Sequence, residues 1–346
     1  MSRWAVVLAG GTGSRFWPLS TPERPKQLLP LVTGNPLLRD AVDRLKPIVG
    51  PDHTLVLTNA SLTKPIASLL PEIPRKNIIA EPRPAGTAAA LTWAALSIAR
   101  ADGKDATMIC VHADWAIADD ERFRETLLQA EQVAVKTHGL VTVGIVPTRP
   151  DTGFGYIQPA KGDAHGASPV KRFIEKPDRA RAEQMWNDGY LWNSGIFVWR
   201  VGDFLEEVEE HTPELAAAFR HANAPDAAKF FGSVVMPVSV DVGVLERSNR
   251  VMVVPGDFGW DDIGTWASLS RVRNKDEFGN VTTGDAHLLD CVDNVVHSDS
   301  GQVVMYGVSG LVVVAQKGLT LVTTTEKASD LKRLVESLSA SELERP

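Results

Sequence analysis

Cysteine is scarce in this chain: there are two, Cys110 and Cys291, far apart and each within an apolar run. Neither has a second cysteine or a histidine at ligand spacing, so neither a disulfide framework nor a zinc site organises the fold. Positive charge is not in excess either. The 36 Lys and Arg face 43 Asp and Glu, for a net charge of −7. That balance argues against a nucleic-acid partner gripped through its phosphates, while leaving room for a small phosphorylated ligand. Long hydrophobic runs are missing as well. No stretch could span a bilayer, and the apolar run at residues 4 to 8 meets glycines at once, unlike a signal peptide. These absences lead us to expect a cytoplasmic protein with no nucleic-acid and no membrane partner.

What is present is ordinary for a globular protein, with 44% hydrophobic and 23% charged residues. A chain of 346 residues suits one large domain with a smaller one attached. The first third alternates strand and helix patterns. Continuous apolar runs at residues 4 to 8, 107 to 111 and 140 to 145 read as strands buried on both faces. Further strands are expected at 54 to 57 and 77 to 80. Helices are expected after Asn35-Pro36, over 86 to 100 and over 121 to 135. This order predicts an α/β fold: a Rossmann-like, mostly parallel mixed sheet with helices on both faces. Ligands in such sheets bind beyond the C-terminal strand ends, so the loops after Leu8, Ala80 and Val111 become the places of interest.

The middle of the chain mixes strands and helices, with a strand at 190 to 200 and a helix capped by Thr212. The acidic run Glu206, Glu207, Glu209 and Glu210 reads as a solvated helix face. From Asn280 the pattern changes to short β runs at 286 to 289, 303 to 306, 311 to 314 and 319 to 322. A small C-terminal β domain, a short β-helix or roll, is expected there, followed by a final helix capped by Thr325. The boundary falls near residue 276, giving 1–275 and 276–346. The apolar residues of the final helix, Leu331, Leu334, Val335 and Leu338, point to packing on the main domain or to a homodimer contact.

The first loop is the most informative. Leu8, Ala9, Gly10, Gly11, Thr12, Gly13, Ser14 and Arg15 follow a buried strand directly. Glycines let successive backbone N–H groups approach an anion; Arg15 and, further on, Lys26 add charge suited to a triphosphate. The dinucleotide fingerprint fails because Phe16 stands where its third glycine belongs, and no Gly-Lys-Ser/Thr of a P-loop follows. A plain glycine turn is the bland alternative. Asp114, just past the strand at 107 to 111, is placed to hold Mg²⁺ on a nucleotide phosphate, or simply to close a turn.

The run from Gly10 to Ser20 with Arg24-Pro25-Lys26-Gln27 resembles the signature of nucleotide-sugar pyrophosphorylases, and Trp17-Pro18-Leu19-Ser20 points to their mannose-1-phosphate guanylyltransferase branch. The resemblance continues in Gly153-Phe154-Gly155-Tyr156-Ile157, Phe173-Ile174-Glu175-Lys176-Pro177, Trp192-Asn193-Ser194-Gly195 and Trp260-Asp261-Asp262-Ile263-Gly264-Thr265-Trp266. It covers residues 5 to 270 and implies the nucleotide-diphospho-sugar transferase fold. It further implies that Arg15 binds the β- and γ-phosphates of GTP and that Lys26 contacts the α-phosphate. Asp114 and Asp262, rather than Asp261, would hold Mg²⁺. Glu81 and Thr87 would lie near base and ribose. Gly153, Gly155, Glu175 and Asn193 would meet the sugar of mannose 1-phosphate, and Lys176 its phosphate, the product being GDP-mannose. Individually these segments have plainer readings: Glu175 with Lys176 as an exposed ion pair, Asn193-Ser194-Gly195 as a turn, Asp261-Asp262 as a helix cap. The sequence departs from the family pattern at Ala85 and Gly86, where Arg and Asn are usual, and at His112 and Trp115 around Asp114. Another sugar phosphate or nucleotide, such as glucose 1-phosphate or UTP, and a non-catalytic regulatory subunit are the competing readings.

Overall fold

The computed structural model describes residues 1–11, 14–160, 166–223 and 226–338. Along the chain run β1 (Arg3–Leu8), α1 (Leu37–Leu45), β2 (Thr54–Asn59), α2 (Thr63–Leu69), β3 (Ile78–Glu81), α3 (Thr87–Asp102), β4 (Thr107–His112), β5 (Ala116–Ile117), α4 (Asp120–Thr137) and β6 (Leu140–Ile145). Then come β7 (Tyr156–Pro159), β8 (Ser168–Ile174), α5 (Arg179–Asn187), β9 (Leu191–Arg200), α6 (Val201–His211), β10 (Val251–Gly256) and β11 (Trp260–Asp261). Last are β12 (Val281–Thr283), β13 (Ala286–Leu289), β14 (Val295–Ser298), β15 (Val303–Tyr306), β16 (Leu311–Gln316), β17 (Leu319–Thr324) and a terminal helix Leu331–Ser337. Among the described residues no helix is long and apolar enough to cross a membrane. The chain divides into two compact units. The first holds Met1–Gly10, Val42–Ala113 and Asp119–Phe258; the second holds Gly11–Ala41, Asp114–Ala118 and Gly259–Pro346.

The first unit is built on a nine-stranded sheet in the order β3-β2-β1-β4-β9-β6-β10-β8-β7. Strands β1 to β4 pair in parallel, with Val6 opposite Leu55 on one side and Cys110 on the other. Strand β9 enters antiparallel between β4 and β6. The apolar run of β1 is needed because both its faces are covered. Trp4, Val6 and Leu8 join the core formed by α3 and α6, while Arg3, pointing the other way, reaches Glu131 of α4 at 2.9 Å. Chain order reverses at β1, whose neighbours β2 and β4 lie on opposite sides, so the ends of β1 and β4 form a switch point. Strand β9 bulges opposite the Val143–Gly144 step, where Gly195 takes φ +73 and the Ser194 hydroxyl donates to Val143 O at 2.5 Å. Bulges re-aim side chains; this one sets the direction of Asn193.

The second unit pairs β5 with β11 and coils its C-terminal strands. Strands β12, β14 and β16 stack in parallel, with Val281, Val295 and Val312 in register. Strands β13 and β15 form a second parallel pair, and antiparallel β17 closes the first sheet. This is a short β-helix. Buried amides tie its coils together: Asn294 Nδ2 donates to Asn280 Oδ1 at 2.9 Å and Leu311 N donates to Asn294 Oδ1 at 2.9 Å.

Three local expectations need correcting. Thr212 does stand at the N-cap position of a 3-10 helix, Pro213–Leu215, with Pro213 opening it, but its hydroxyl donates to Gly243 O at 2.8 Å rather than capping. Thr325 does not cap the helical region near the C-terminus, which begins at Lys327 with Glu326 at its N-cap position and no side-chain cap; Thr324 Oγ1 accepts from Lys327 N at 3.3 Å. Glu207 is not solvated: it is 3% exposed and accepts from Arg250 Nη1 at 3.1 Å, because α6 turns that side of its acidic run inward.

Candidate active site

Within the second unit, Lys26, Asp114 and Asp262 converge. Lys26 opens a short 3-10 turn, Lys26–Leu28, and its side chain is buried. Its ammonium donates to Asp114 Oδ2 at 3.0 Å and to the main-chain carbonyl of Asp262 at 2.6 Å. Arg15, on the turn Ser14–Phe16, is exposed and donates weakly to Gly264 O at 3.4 Å. The turn is anchored beside the Asp262 segment: the Phe16 ring packs 5.2 Å from that of Trp266, and Trp266 Nε1 donates to Trp17 O at 3.0 Å. Gln27 Nε2 donates to Gly11 O at 3.0 Å, pinning the loop's start. Thr12 and Gly13 lie outside the described residues, as does the side chain of Ser14.

Asp262 sits in a turn that another carboxylate holds. Asp261 is buried and binds Arg271 through both oxygens, at 2.6 and 2.9 Å. Asp261 Oδ1 also accepts Ile263 N at 2.9 Å, stabilising Ile263 at φ +45. Gly264 lacks the Cβ that would come 2.8 Å from Asp262 Oδ2. Burial pushes the Asp262 carboxyl above the usual carboxylate range; Asp261 and Asp114 add to the rise, while Lys26 and Arg271 oppose it. The carboxylates of Asp114 and Asp262 therefore feel one another, with the Lys26 ammonium held between an Asp114 carboxylate oxygen and the Asp262 carbonyl. Such a hard, oxygen-only, negative donor set fits Mg²⁺, which takes one or two protein carboxylates and fills its shell with phosphate and water.

In the first unit, β1 ends at Leu8, whose carbonyl accepts from Ala113 N at 2.9 Å, while Ala9 N donates to Leu57 O at 2.8 Å. Beyond it, a Cβ on Gly10 would lie 3.7 Å from Glu81 Oε1. Glu81, at the end of β3, has its carboxyl pushed up to about 7 by burial. Gly86 takes φ +84, and a Cβ there would lie 2.7 Å from Val238 N and closer still to its carbonyl oxygen. Only glycine fits this backbone without a shift. Thr87 opens α3, and its hydroxyl oxygen accepts from Val240 N at 2.9 Å. Ala85 is fully buried.

A second group gathers around Gly155. Asn193 N donates to Gly155 O at 2.8 Å. A Cβ on Gly155 would come 2.8 Å from Glu175 Oε2 and 3.5 Å from Asn193 Cβ, so glycine is what leaves room for each of these side chains beside its backbone. Lys176 takes φ +39 and pairs with Glu175 at 3.1 Å, both exposed. Gly153 is tied to Asp151, its N–H donating to Oδ1 at 2.9 Å.

The structure thus brings Lys26, Asp114 and Asp262 together, with Arg15 on the adjoining Gly264. It separately brings Gly10 to Glu81, and both Glu175 and Asn193 to Gly155. Thr87 is engaged with Val240. Sequence reasoning passed over three contributors: Asp261 and Arg271, which hold the Asp262 turn, and Asp241, which accepts from Asn193 Nδ2 at 2.8 Å. An Asp-Asp pair followed by an Arg near the next helix was the available signal for the first two. None marked Asp241.

Comparison with known proteins bears on these arrangements. A family model described as nucleotidyl transferase matches residues 4–278. The mannose-1-phosphate guanylyltransferase of Klebsiella pneumoniae is 38% identical over 351 residues, covering 97% of this chain and 74% of that protein. The Escherichia coli protein of the same name is 37% identical with the same coverage. A crystal structure described as a mannose-1-phosphate geranyltransferase from Thermus thermophilus matches with a TM-score of 0.90 and 33% identity, covering 97% of this chain and 99% of that chain.

Proposed function

Because the chain belongs to the nucleotidyl transferase family, we propose that it transfers GMP from GTP to α-D-mannose 1-phosphate, giving GDP-mannose and pyrophosphate. The observation that carries this reading is Lys26 joined to Asp114 and to the Asp262 turn. That arrangement suits a polyphosphate and a divalent cation. Guanine and mannose are taken from the names of the relatives that resemble the chain over nearly its whole length.

The reaction is an in-line displacement: a phosphate oxygen of the sugar phosphate attacks the α-phosphorus, and the bond to the pyrophosphate leaving group breaks. A sugar phosphate dianion is nucleophilic at neutral pH, so no covalent intermediate and no general base is required. Asp114 and Asp262 would hold Mg²⁺, which supplies charge neutralisation on the phosphates when bound. Lys26 stabilises charge developing on the α-phosphate, exchanging its contact with Asp114 for a phosphate oxygen. Arg15, exposed and weakly held, is free to turn onto the β- and γ-phosphates. The glycine-rich loop, from Leu8 through Gly10, Gly11, Thr12 and Gly13 to Arg15, is assigned to the same chain of phosphates on its sequence. Glu81 and Thr87 lie toward base and ribose. Gly153, Gly155, Glu175 and Asn193 position the sugar, and Lys176 leaves Glu175 to meet the sugar's phosphate.

Residues 1–275 carry the catalytic domain in this reading, and 276–346 form an appended β domain. The protein works in the cytoplasm as a homodimer; an exclusively monomeric mass by light scattering would refute the dimer. A panel of nucleotides and sugar 1-phosphates, followed by pyrophosphate release, tests the reaction. Turnover highest with GTP and mannose 1-phosphate is expected. Preference for glucose 1-phosphate or UTP would replace the substrate assignment, and no turnover with any pair would favour the regulatory subunit.

A further inference from the structure

We propose that Asp241 is a sugar-recognition residue, orienting the Asn193 amide and accepting a hydroxyl of the bound sugar phosphate. This rests on the assignment of Gly155, Glu175 and Asn193 to the sugar. Asp241 begins a π-helical turn, Asp241–Leu245, a geometry that recurs at functional sites. The turn is firmly held. Gly243 N donates to Ser239 O at 2.8 Å and Glu246 N to Asp241 O at 2.8 Å. Thr212 Oγ1 donates to Gly243 O at 2.8 Å and Val240 N to Thr87 Oγ1 at 2.9 Å. Its own residues Gly243, Val244 and Leu245 are buried. Asp241 itself is half-buried, so its carboxylate is presented from a fixed backbone and remains reachable.

An ionised carboxylate only accepts hydrogen bonds. Asn193 must therefore turn its NH₂ toward Asp241 Oδ1, at 2.8 Å, which leaves Asn193 Oδ1 on the side of Gly195 N, at 3.4 Å. Without Asp241 the amide could flip, exchanging donor for acceptor toward a ligand. One bond to Asn193 uses one of about four lone-pair positions on the carboxylate, leaving capacity for a hydroxyl donor. Glu175 faces the same region: the charges of Asp241 and Glu175 both help to raise the Glu246 carboxyl, after burial. Acceptors concentrated beside Gly155 suit a polyol, whose hydroxyls donate.

The test uses the full chain, with mannose 1-phosphate and its monodeoxy analogues as acceptors and GTP as donor. Asp241→Asn is expected to raise KM for the sugar phosphate about 10-fold or more, with KM for GTP changed less than about twofold. It should also lose the wild-type discrimination against one particular deoxy analogue, which a purely structural role would not do. Asp241→Glu, which keeps the acceptor, is expected to recover part of that discrimination. Unchanged KM and an unchanged deoxy profile in Asp241→Asn would overturn the proposal, as would a uniform loss across all analogues in both variants. Absence of turnover by the wild-type chain with every sugar phosphate would instead refute the functional reading on which it rests.

Discussion

The two groups of candidate site residues, one in each compact unit, handle polar contacts in contrasting ways. The second unit buries charge and pairs it: Lys26 with Asp114, and Asp261 with Arg271. The first unit gathers Glu175, Asp241 and Asn193 near the surface, with neutral amides and glycine backbone between them. The difference follows from what each would recognise. Phosphates and a divalent cation need charges fixed in advance, since reorganising charge during reaction is costly. A sugar needs correctly oriented donors and acceptors, and selectivity arises from leaving a polar group unmatched when the wrong sugar binds.

The largest effect expected from breaking this contrast is at Lys26. Lys26→Met should lower turnover on the order of 10³-fold, the scale for removing a charge aimed at the transition state, with thermal unfolding little changed. Steady-state pyrophosphate release measures it, and a loss under about tenfold would place the decisive charge elsewhere. Next is a change confined to the first unit. Gly86→Ala forces a Cβ against the Val238 backbone at a left-handed φ, and should cost about 3 kcal/mol of stability by denaturant midpoint. A change within about 0.5 kcal/mol would mean that this loop yields easily.

Arg271→Met leaves the buried Asp261 carboxylate without its bidentate partner. A stability loss of about 2 kcal/mol is expected, together with a fall in turnover because Asp261 also holds the Ile263 amide. Stability loss without any effect on turnover would uncouple the pair from the Asp262 turn. The smallest effect concerns Glu81. Its folded-state pKa, about 7 against an ordinary 4.5, means that the folded state binds the extra proton between those values. Stability should therefore fall as pH rises from about 4.5 to 7 and level off above. Glu81→Gln should raise stability at pH 8 by about 1–2 kcal/mol, after allowance for the partial exposure of the carboxyl. At pH 4 the same variant should melt at nearly the wild-type temperature. Equal melting shifts at both pH values would contradict the burial argument.

Much of the first unit was legible in the sequence because β1, β4 and β6 are covered on both faces and so read as unbroken apolar runs. Strands β12 and β14 were not. They are three and four residues long, and their order comes from stacking between coils, with Val281 beside Val295 and Asn280 bonded to Asn294. No short window contains that information. The roles of Lys26, Asp114 and Asp262 were legible only through resemblance; alone, Asp114 read as a turn or capping residue and the Asp261-Asp262 pair as a helix cap. Asp241 escaped notice because its meaning depends on Asn193, 48 positions away, brought to it by a bulge that periodicity does not reveal.

The most direct test of the central claim is single-turnover pyrophosphate release from GTP and mannose 1-phosphate with Mg²⁺ in Asp114→Asn and Asp262→Asn, each checked for an intact fold. Both variants are expected to fall by orders of magnitude, roughly 10³-fold, as befits loss of a divalent-cation ligand. A rate close to wild type in either one would contradict the account by removing that carboxylate from the chemistry.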